Sequence, residues 1–135
     1  MKYRKLRKYK YQTVEPTQVE VPIIGLSIIT KFITLTYDGR LCVRAGYAWD
    51  GPSGPTLDTR TFMRGSLAHD ALYQLIREGL LPPEARRTAD EILYRLCRED
   101  GMGWVRAQYV YRSVRLFGGL AAKPDETGQI IYEAP

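Results

Sequence analysis

The residues best suited to chemistry are the single histidine of the chain, His69, and a carboxylate on the next predicted helix, Asp90. An imidazole that faces a carboxylate is the arrangement of a general base. The carboxylate fixes the tautomer of the ring and stabilises the imidazolium that forms when the ring takes a proton from water. The pair therefore predicts a hydrolytic site in which His69 is the base and Asp90 orients it.

The spacing of the two residues supports their meeting. The connection between their helices, residues 80–83, is short, which predicts an antiparallel pair. His69 lies about 12 residues before its centre and Asp90 about 9 after it, so at 1.5 Å per residue both are ~14 to ~18 Å from the turn. Tyr73 is one helical turn after His69, and Tyr94 has the same relation to Asp90. We expect the pair to lie level, with tyrosine hydroxyls holding the carboxylate.

Asp70 and the loop ahead of its helix have the chemistry of a hard-cation site. The loop, residues 49–55, presents backbone carbonyls, and carbonyl oxygens with a carboxylate are what calcium requires. An ordinary alternative remains open for both carboxylates. Asp70 pairs in that case with a surface arginine, and Asp90 with Arg86 or Arg87 one turn earlier on the same helix.

The first half of the chain is predicted to be β structure, over residues 12–46. Apolar residues alternate with polar ones around Val19, which is typical of a strand with one buried face. The dipeptide Asp38-Gly39 separates two β-prone runs and predicts a hairpin, because such turns need residues that tolerate positive φ. The two prolines and two glycines of residues 51–55 then predict a shaped loop.

Three helices are predicted in the second half. The first begins at Asp58 or Thr59 and ends near Gly79, the second begins at Pro83 or Glu84 and ends near Gly101, and the third runs from Trp104 to Phe117 and stops at Gly118-Gly119. The predicted fold class is α+β, an N-terminal antiparallel hairpin or sheet followed by three helices. We expect a basic arm at 1–11, a single domain at 12–122 and a C-terminal tail at 123–135.

The formal net charge of +5 is unevenly distributed over the 135 residues. The first ten residues carry six basic side chains and no acidic one, whereas the remaining 125 carry 14 basic and 15 acidic. Such an arm contacts phosphates or anionic lipid, docks on a protein, or forms an edge strand whose lysines discourage aggregation. We expect partner or anion docking through Lys2, Arg4, Lys5, Arg7, Lys8 and Lys10.

Several other classes of protein and of catalytic site are excluded because the sequence lacks their motifs. No apolar run is long enough for a membrane span, and the basic start is not followed by the apolar run of a secretory signal, so we expect the chain inside a cell. Cys42 and Cys97 are too few for a disulfide framework and match no zinc spacing, which predicts reduced core thiols. A single histidine excludes two-histidine metal sites, and no Gly-x-Ser-x-Gly motif or phosphate-binding loop is present.

Residues 49–94 contain the pattern His-Asp-x-x-Tyr at 69–73, an aspartate on the following helix and a glycine-containing loop ahead of the histidine. This combination resembles secreted phospholipase A2. It implies a helix pair like that of the family, with His69, Asp90 and Tyr73 as catalytic residues. It also implies bound calcium, held by Asp70 and by the carbonyls of Trp49, Gly51 and Ser53.

A larger part of the chain combines a β hairpin and a Tyr-rich last helix with three motifs, Ala-Trp-Asp-Gly-Pro-Ser at 48–53, Arg-Gly-Ser-Leu-Ala-His-Asp-Ala-Leu-Tyr at 64–73 and Arg-x-x-Asp at 87–90. This combination resembles a family of small phage and prophage proteins of unknown function. Members are usually found with phage structural or lysis genes. The resemblance implies a place in the phage particle or in the cytoplasm of an infected bacterial host.

Three functions follow as hypotheses. The first is a calcium-dependent ester hydrolase that acts on lipid or another envelope component through His69. The second is a virion or tail component in which the polar residues only tie the fold together and the basic arm docks on phage structural proteins. The third is a nucleic-acid-binding accessory protein that uses the same arm.

Overall fold

The computed structural model describes residues 1–6, 11–49 and 60–121, which fall into two compact units. Within these residues the first unit holds seven strands in two antiparallel sheets, and the second holds three helices. The predicted α+β fold, with N-terminal antiparallel sheets followed by three helices, is confirmed. The single domain expected over residues 12–122 stays a prediction.

The strands form one sheet of three and one of four. The first sheet, in the order β1-β2-β7, consists of β1 (Tyr3–Lys5), β2 (Tyr11–Thr13) and β7 (Ala48–Trp49). The second, in the order β3-β6-β5-β4, consists of β3 (Thr17–Glu20), β4 (Ile28–Ile29), β5 (Ile33–Leu35) and β6 (Arg40–Val43). In β3 the side chains of Thr17 and Val19 are buried and their neighbours are exposed, so the predicted alternation places one face of this strand in a core.

The hairpin predicted at Asp38-Gly39 is confirmed, since β5 and β6 pair antiparallel on either side of it. The amide of Gly39 donates to the carbonyl of Thr36 at 3.0 Å. Gly39 has a φ of +89°, and a Cβ at this position would lie 2.5 Å from the carbonyl oxygen of Val21. Both the backbone conformation and the close approach of Val21, just after β3, therefore require glycine.

The described part of the basic arm is an edge strand. β1 lies at the edge of the three-stranded sheet and pairs with β2, with Arg4 opposite Gln12. Its three side chains are exposed, although the ring of Tyr3 packs edge-on against Tyr11 with the centroids 5.6 Å apart. The edge-strand interpretation is thus confirmed for Tyr3–Lys5. Arg7, Lys8 and Lys10 lie outside the described residues.

The three predicted helices are α1 (Arg60–Arg77), α2 (Ala85–Glu99) and α3 (Trp104–Ala121). Gly79 and Gly101 follow α1 and α2 with φ of +75° and +101°, which is the left-handed conformation that ends helices. The helix start predicted at Asp58 or Thr59 lies outside the described residues. None of these three helices is long and apolar enough to cross a membrane.

α1 and α2 pack antiparallel. Arg64, near the start of α1, donates to the carboxylate of Asp100, just after α2, at 2.9 and 3.1 Å. Tyr73, further along α1, contacts Asp90, nearer the start of α2. The contacts thus run in opposite order along the two helices. The fully buried side chains of this pair include Leu67, Leu72, Leu75, Ile92, Leu93 and Leu96.

α3 does not stop at Gly118-Gly119 as predicted but continues to Ala121. The prediction is wrong because Gly118 serves close packing and does not end the helix. A Cβ at this position would lie 2.5 Å from the hydroxyl oxygen of Tyr73. The missing side chain therefore lets α3 approach α1, and the helix continues through the glycine.

Each unit contains one of the two cysteines. Cys42 lies in β6 and is partly buried, and Cys97 lies in α2 and is fully buried. Neither forms a disulfide, and the predicted place in the core is confirmed for Cys97 but not for the partly buried Cys42. Burial raises the pKa of Cys97 to about 12, so this side chain stays protonated and packs as a small apolar group.

Candidate active site

His69 and Asp90 meet across the α1–α2 pair. Nε2 of His69 lies 2.7 Å from Oδ1 of Asp90, and both side chains are buried, that of Asp90 completely. Each residue lies on the apolar face of its helix, beside the buried Ala68 and Ala89. An ionised carboxylate only accepts hydrogen bonds, so Nε2 carries the proton and Nδ1 of the neutral ring keeps its lone pair.

Tyr73 holds the same carboxylate from α1. Its hydroxyl donates to Oδ1 of Asp90 at 2.6 Å, and its ring lies against that of His69 with the centroids 4.0 Å apart. Burial and the neighbouring carboxylate raise the pKa of Tyr73, so the hydroxyl stays protonated and remains a donor. The structure therefore brings together the three residues that the sequence predicts as catalytic.

Two arginines hold the second carboxylate oxygen. Arg115, on α3, donates through Nη1 to Oδ2 of Asp90 at 2.9 Å. Arg86, one turn before Asp90 on α2, has its Nη1 3.6 Å from the same oxygen and donates to the carbonyls of Val114 and Arg115. The sequence left two partners of Asp90 as alternatives, the imidazole of His69 and an arginine one turn earlier on the same helix. In the structure Asp90 contacts both. Asp90 links all three helices, and Arg87 is exposed.

The surroundings shift the pKa values of the pair in opposite directions. Burial lowers the pKa of His69, but the carboxylates of Asp70 and Asp90 outweigh it, and the pKa lies above its ordinary value of 6.5. Burial raises the pKa of Asp90, but the hydrogen bonds from His69, Tyr73 and Arg115 outweigh it, and the pKa lies below its ordinary value of 3.8. At neutral pH Asp90 is therefore ionised, as an orienting carboxylate must be.

The other ring nitrogen of His69 is turned toward Asp70. Nδ1 lies 3.8 Å from Oδ1 of Asp70, which is beyond hydrogen-bonding distance. The Asp70 side chain is 36% exposed, so it borders solvent, whereas Asp90 does not. Nδ1 makes no hydrogen bond within the part of the chain that the structure describes. Of the two ring nitrogens, Nδ1 is therefore the one that Asp90 does not engage.

No family model matches the chain, and no curated protein or solved structure matches it significantly. The resemblances to phospholipase A2 and to the phage family therefore stay predictions.

Two of the four predicted calcium ligands lie in described residues. Asp70 is on α1 in the helical unit, and Trp49 is in β7 in the strand unit, where its buried ring packs against that of Tyr11 with the centroids 5.7 Å apart. Gly51 and Ser53 lie outside the described ranges. Within 1–6, 11–49 and 60–121, no group of three or more His, Cys, Asp or Glu side chains is placed to hold a metal ion.

Three of the predicted docking residues of the arm lie in described residues. They are Lys2, Arg4 and Lys5, and all three are exposed on or beside β1.

Tyr94 does not contact Asp90, although its spacing predicts that it does. Its hydroxyl accepts from Nε2 of Gln108 at 3.5 Å and its ring packs edge-on against that of Tyr111, so it joins α2 to α3 and does not contact Asp90.

Sequence reasoning missed Arg115. The sequence does contain a signal for this contact. Arg115 directly follows Val114, which packs against the core cluster that contains Val110 and Ala107, so a positive charge borders the buried face of α3. A cation at the border of a buried face needs an anionic partner. The predicted inward-facing carboxylate of Asp90 was the candidate partner.

Proposed function

We propose that the protein is a phage-derived ester hydrolase that acts on lipid or another envelope component, with His69 as its general base. The observation that carries the proposal is the 2.7 Å contact between Nε2 of His69 and Oδ1 of Asp90, on a carboxylate fixed by Tyr73 and Arg115. Such a pair holds the ring in one tautomer and leaves the lone pair on Nδ1. A general base needs this lone pair, and here Nδ1 faces the partly exposed Asp70.

The reaction that this geometry supports is hydrolysis by an activated water. Nδ1 of His69 takes a proton from water while the water oxygen forms a bond to the ester carbonyl carbon. The imidazolium is stabilised by Asp90, which stays ionised because Arg115 and Tyr73 hold it. When the carbon–oxygen bond to the leaving alcohol breaks, Nδ1 returns the proton to that oxygen, which gives a carboxylic acid and an alcohol.

Asp70 fits the role of a calcium ligand. It is a partly exposed carboxylate next to the base, and its charge interaction within the described residues is with His69. Asp70 would supply one of the six to eight oxygens that calcium requires. Bound calcium would polarise the ester carbonyl and stabilise the negative charge that develops on its oxygen.

The test is fatty-acid release from phospholipid vesicles by the full chain with calcium. We expect release by wild type, loss of about a hundredfold or more in His69→Gln, because general-base catalysis contributes that much, and wild-type release by Glu91→Gln, an exposed carboxylate next to Asp90. Calcium should raise the melting temperature of wild type but not of Asp70→Asn. Absence of His69-dependent release, together with no stabilisation by calcium, refutes the proposal.

A second candidate function is a non-catalytic virion or tail component. It is favoured by the complete burial of Asp90 and by its contacts to all three helices, since a satisfied polar cluster of this kind also specifies a fold. The exposed β1 would then dock on a phage structural protein. On this reading purified particles contain the chain in fixed stoichiometry, deletion of residues 1–10 blocks its incorporation without unfolding it, and His69→Gln is incorporated normally.

A further inference from the structure

α3 is apolar on two opposite faces. On one face Ala107 and Val110 are buried in the core of the helical unit. On the opposite face Val105, Tyr109 and Leu116 are exposed by 74%, 54% and 76%. At about 100° per residue, positions 105, 109, 112 and 116 fall within a band of about 60° around the helix. We call this face, with the flanking tryptophan, the α3 stripe, which consists of Trp104, Val105, Tyr109, Arg112 and Leu116.

The α3 stripe is more than scattered surface apolarity. Single exposed apolar residues are normal, but a helix that is apolar all round is usually buried on every side. Trp104, about 100° around the helix from Val105, is also 59% exposed, so large exposed apolar side chains occur from the first turn of α3 to Leu116. A group of exposed apolar side chains of this kind marks a surface that binds a partner.

The charge on α3 selects the partner. The helix contains Arg106, Arg112 and Arg115 and no acidic residue. Arg115 is paired with Asp90, whereas Arg112 is exposed in the middle of the stripe. A second copy of α3 would bring arginines together and supply no carboxylate. An anionic lipid surface supplies phosphates for Arg112, apolar depth for Val105 and Leu116, and the headgroup level that tryptophan and tyrosine prefer.

We propose that the α3 stripe is the surface by which this protein lies on an anionic phospholipid bilayer, with α3 in the plane of the interface. Gly118, which packs against Tyr73, lies about 150° around the helix from the centre of this band, and Arg115, which donates to Asp90, lies about 90° from it. Docking would therefore leave the contact between α3 and Tyr73 on the side of α3 that faces away from the lipid. Binding does not require catalysis, but its value for lipid hydrolysis rests on the function proposed above.

The experiment uses the full chain with large unilamellar vesicles in EDTA, so that calcium does not contribute. Vesicles of phosphatidylcholine alone are compared with vesicles that also contain phosphatidylglycerol, by cosedimentation and tryptophan fluorescence. We expect tighter binding to the anionic vesicles and a blue shift, which Trp104→Phe removes because Trp49 is already buried. Leu116→Gln should weaken binding about tenfold, and Arg112→Gln should weaken binding to the anionic vesicles about fivefold.

The matched control is Ile29→Gln, which removes an equally exposed apolar side chain, 81% exposed, from the strand unit. It should bind like wild type. Absence of wild-type binding overturns the proposal, and so does binding that is lost in Ile29→Gln or unchanged in Leu116→Gln. If salt abolishes vesicle binding and Leu116→Gln does not change it, the basic arm and not the stripe binds the vesicles. A dimer in solution that Leu116→Gln dissociates, without vesicle binding, assigns the stripe to a second copy.

The outcomes keep the two proposals apart. His69→Gln should bind vesicles like wild type, because His69 is buried on α1 and takes no part in the stripe. Normal vesicle binding without fatty-acid release would refute the hydrolase and leave the docking surface in place. Release from dispersed substrate without vesicle binding would do the reverse.

Discussion

At Asp90, donors from all three helices share two carboxylate oxygens. His69 and Tyr73 contact one oxygen, and Arg115 and Arg86 contact the other. A fully buried carboxylate is tolerated only when it is paired in this way, and removal of its charge leaves the cations around it uncompensated. The residue therefore combines two roles, because it orients the base and fastens the helices.

The first prediction concerns that charge. Asp90→Asn should lower the free energy of unfolding by about 3 kcal/mol, at the low end for a buried ion pair because both arginines keep some exposure. Urea unfolding monitored by circular dichroism measures the loss. Glu91→Gln on the same helix is exposed and should change stability by less than about 0.5 kcal/mol. Equal stability of the two variants would show that the cluster does not stabilise the fold.

The second prediction concerns pH. The pKa of His69 is raised on folding, so this residue stabilises the protein below its unfolded pKa of 6.5, and the contribution is lost as pH rises through the raised folded value. His69→Gln should therefore cost more stability at about pH 5.5 than at about pH 9. Asp90 has the opposite sign, since its lowered pKa stabilises the protein above 3.8 and the contribution is lost only as pH falls through the folded value.

His69 is the single histidine of the sequence, so a proton NMR titration of its ring reports this site without assignment. A midpoint above 6.5 is expected. For a hydrolase with this base, the acid side of the pH–rate profile should share that midpoint, because only the neutral ring accepts a proton. A midpoint at or below 6.5 would mean that burial outweighs the two carboxylates.

At the scale of elements, the close approach of α3 to α1 depends on Gly118. Gly118→Ala improves helix propensity by about 1 kcal/mol, yet its Cβ would lie 2.5 Å from the Tyr73 hydroxyl oxygen. We expect the steric contact to outweigh the gain in helix propensity. The free energy of unfolding should fall by about 1 to 2 kcal/mol as Tyr73 is displaced from Asp90. Thermal unfolding measures the loss, and Ser113→Ala on the same helix is the control, expected to be neutral or slightly stabilising. A stabilised Gly118→Ala would contradict the packing.

Local signals predicted the elements well where the reason for each residue was itself local. Gly39 forms the predicted hairpin because positive φ is a property of the turn, and Gly79 follows α1 for the same reason. The helix end predicted at Gly118 is wrong because sequence alone does not distinguish a glycine that adopts a positive φ from one that lets another helix approach closely. The division of the strands into two sheets also depends on long-range pairing, such as Tyr11 with Trp49.

The contacts of the candidate site also differ in how far the sequence predicts them. The meeting of His69 and Asp90 follows from helical rise and one short connection, so counting residues from the turn is sufficient. The contact from Arg115 depends on how a third helix packs over the pair, which no spacing within the sequence fixes. Tyr94 shows the converse, because its spacing from Asp90 is right but it packs toward α3.

At the scale of the whole molecule, the basic arm and the α3 stripe lie on different units. The described basic residues of the arm are on the exposed edge strand β1, in the strand unit, whereas the α3 stripe belongs to the helical unit. The contribution of the arm and the contribution of the stripe are therefore separable by mutation. Arm substitutions should change the salt dependence of binding, and stripe substitutions should change binding at high salt.

The presence of one cysteine in each unit gives the molecule two chemical reporters of local opening. Cys42 is partly buried in β6, and Cys97 is fully buried in α2 with its pKa raised to about 12, so an alkylating reagent reaches Cys97 only when the helices separate. We expect Asp90→Asn to accelerate alkylation of Cys97 and to leave that of Cys42 unchanged, as measured by mass spectrometry of the two cysteine peptides. Equal acceleration at both thiols would show that the units open as one.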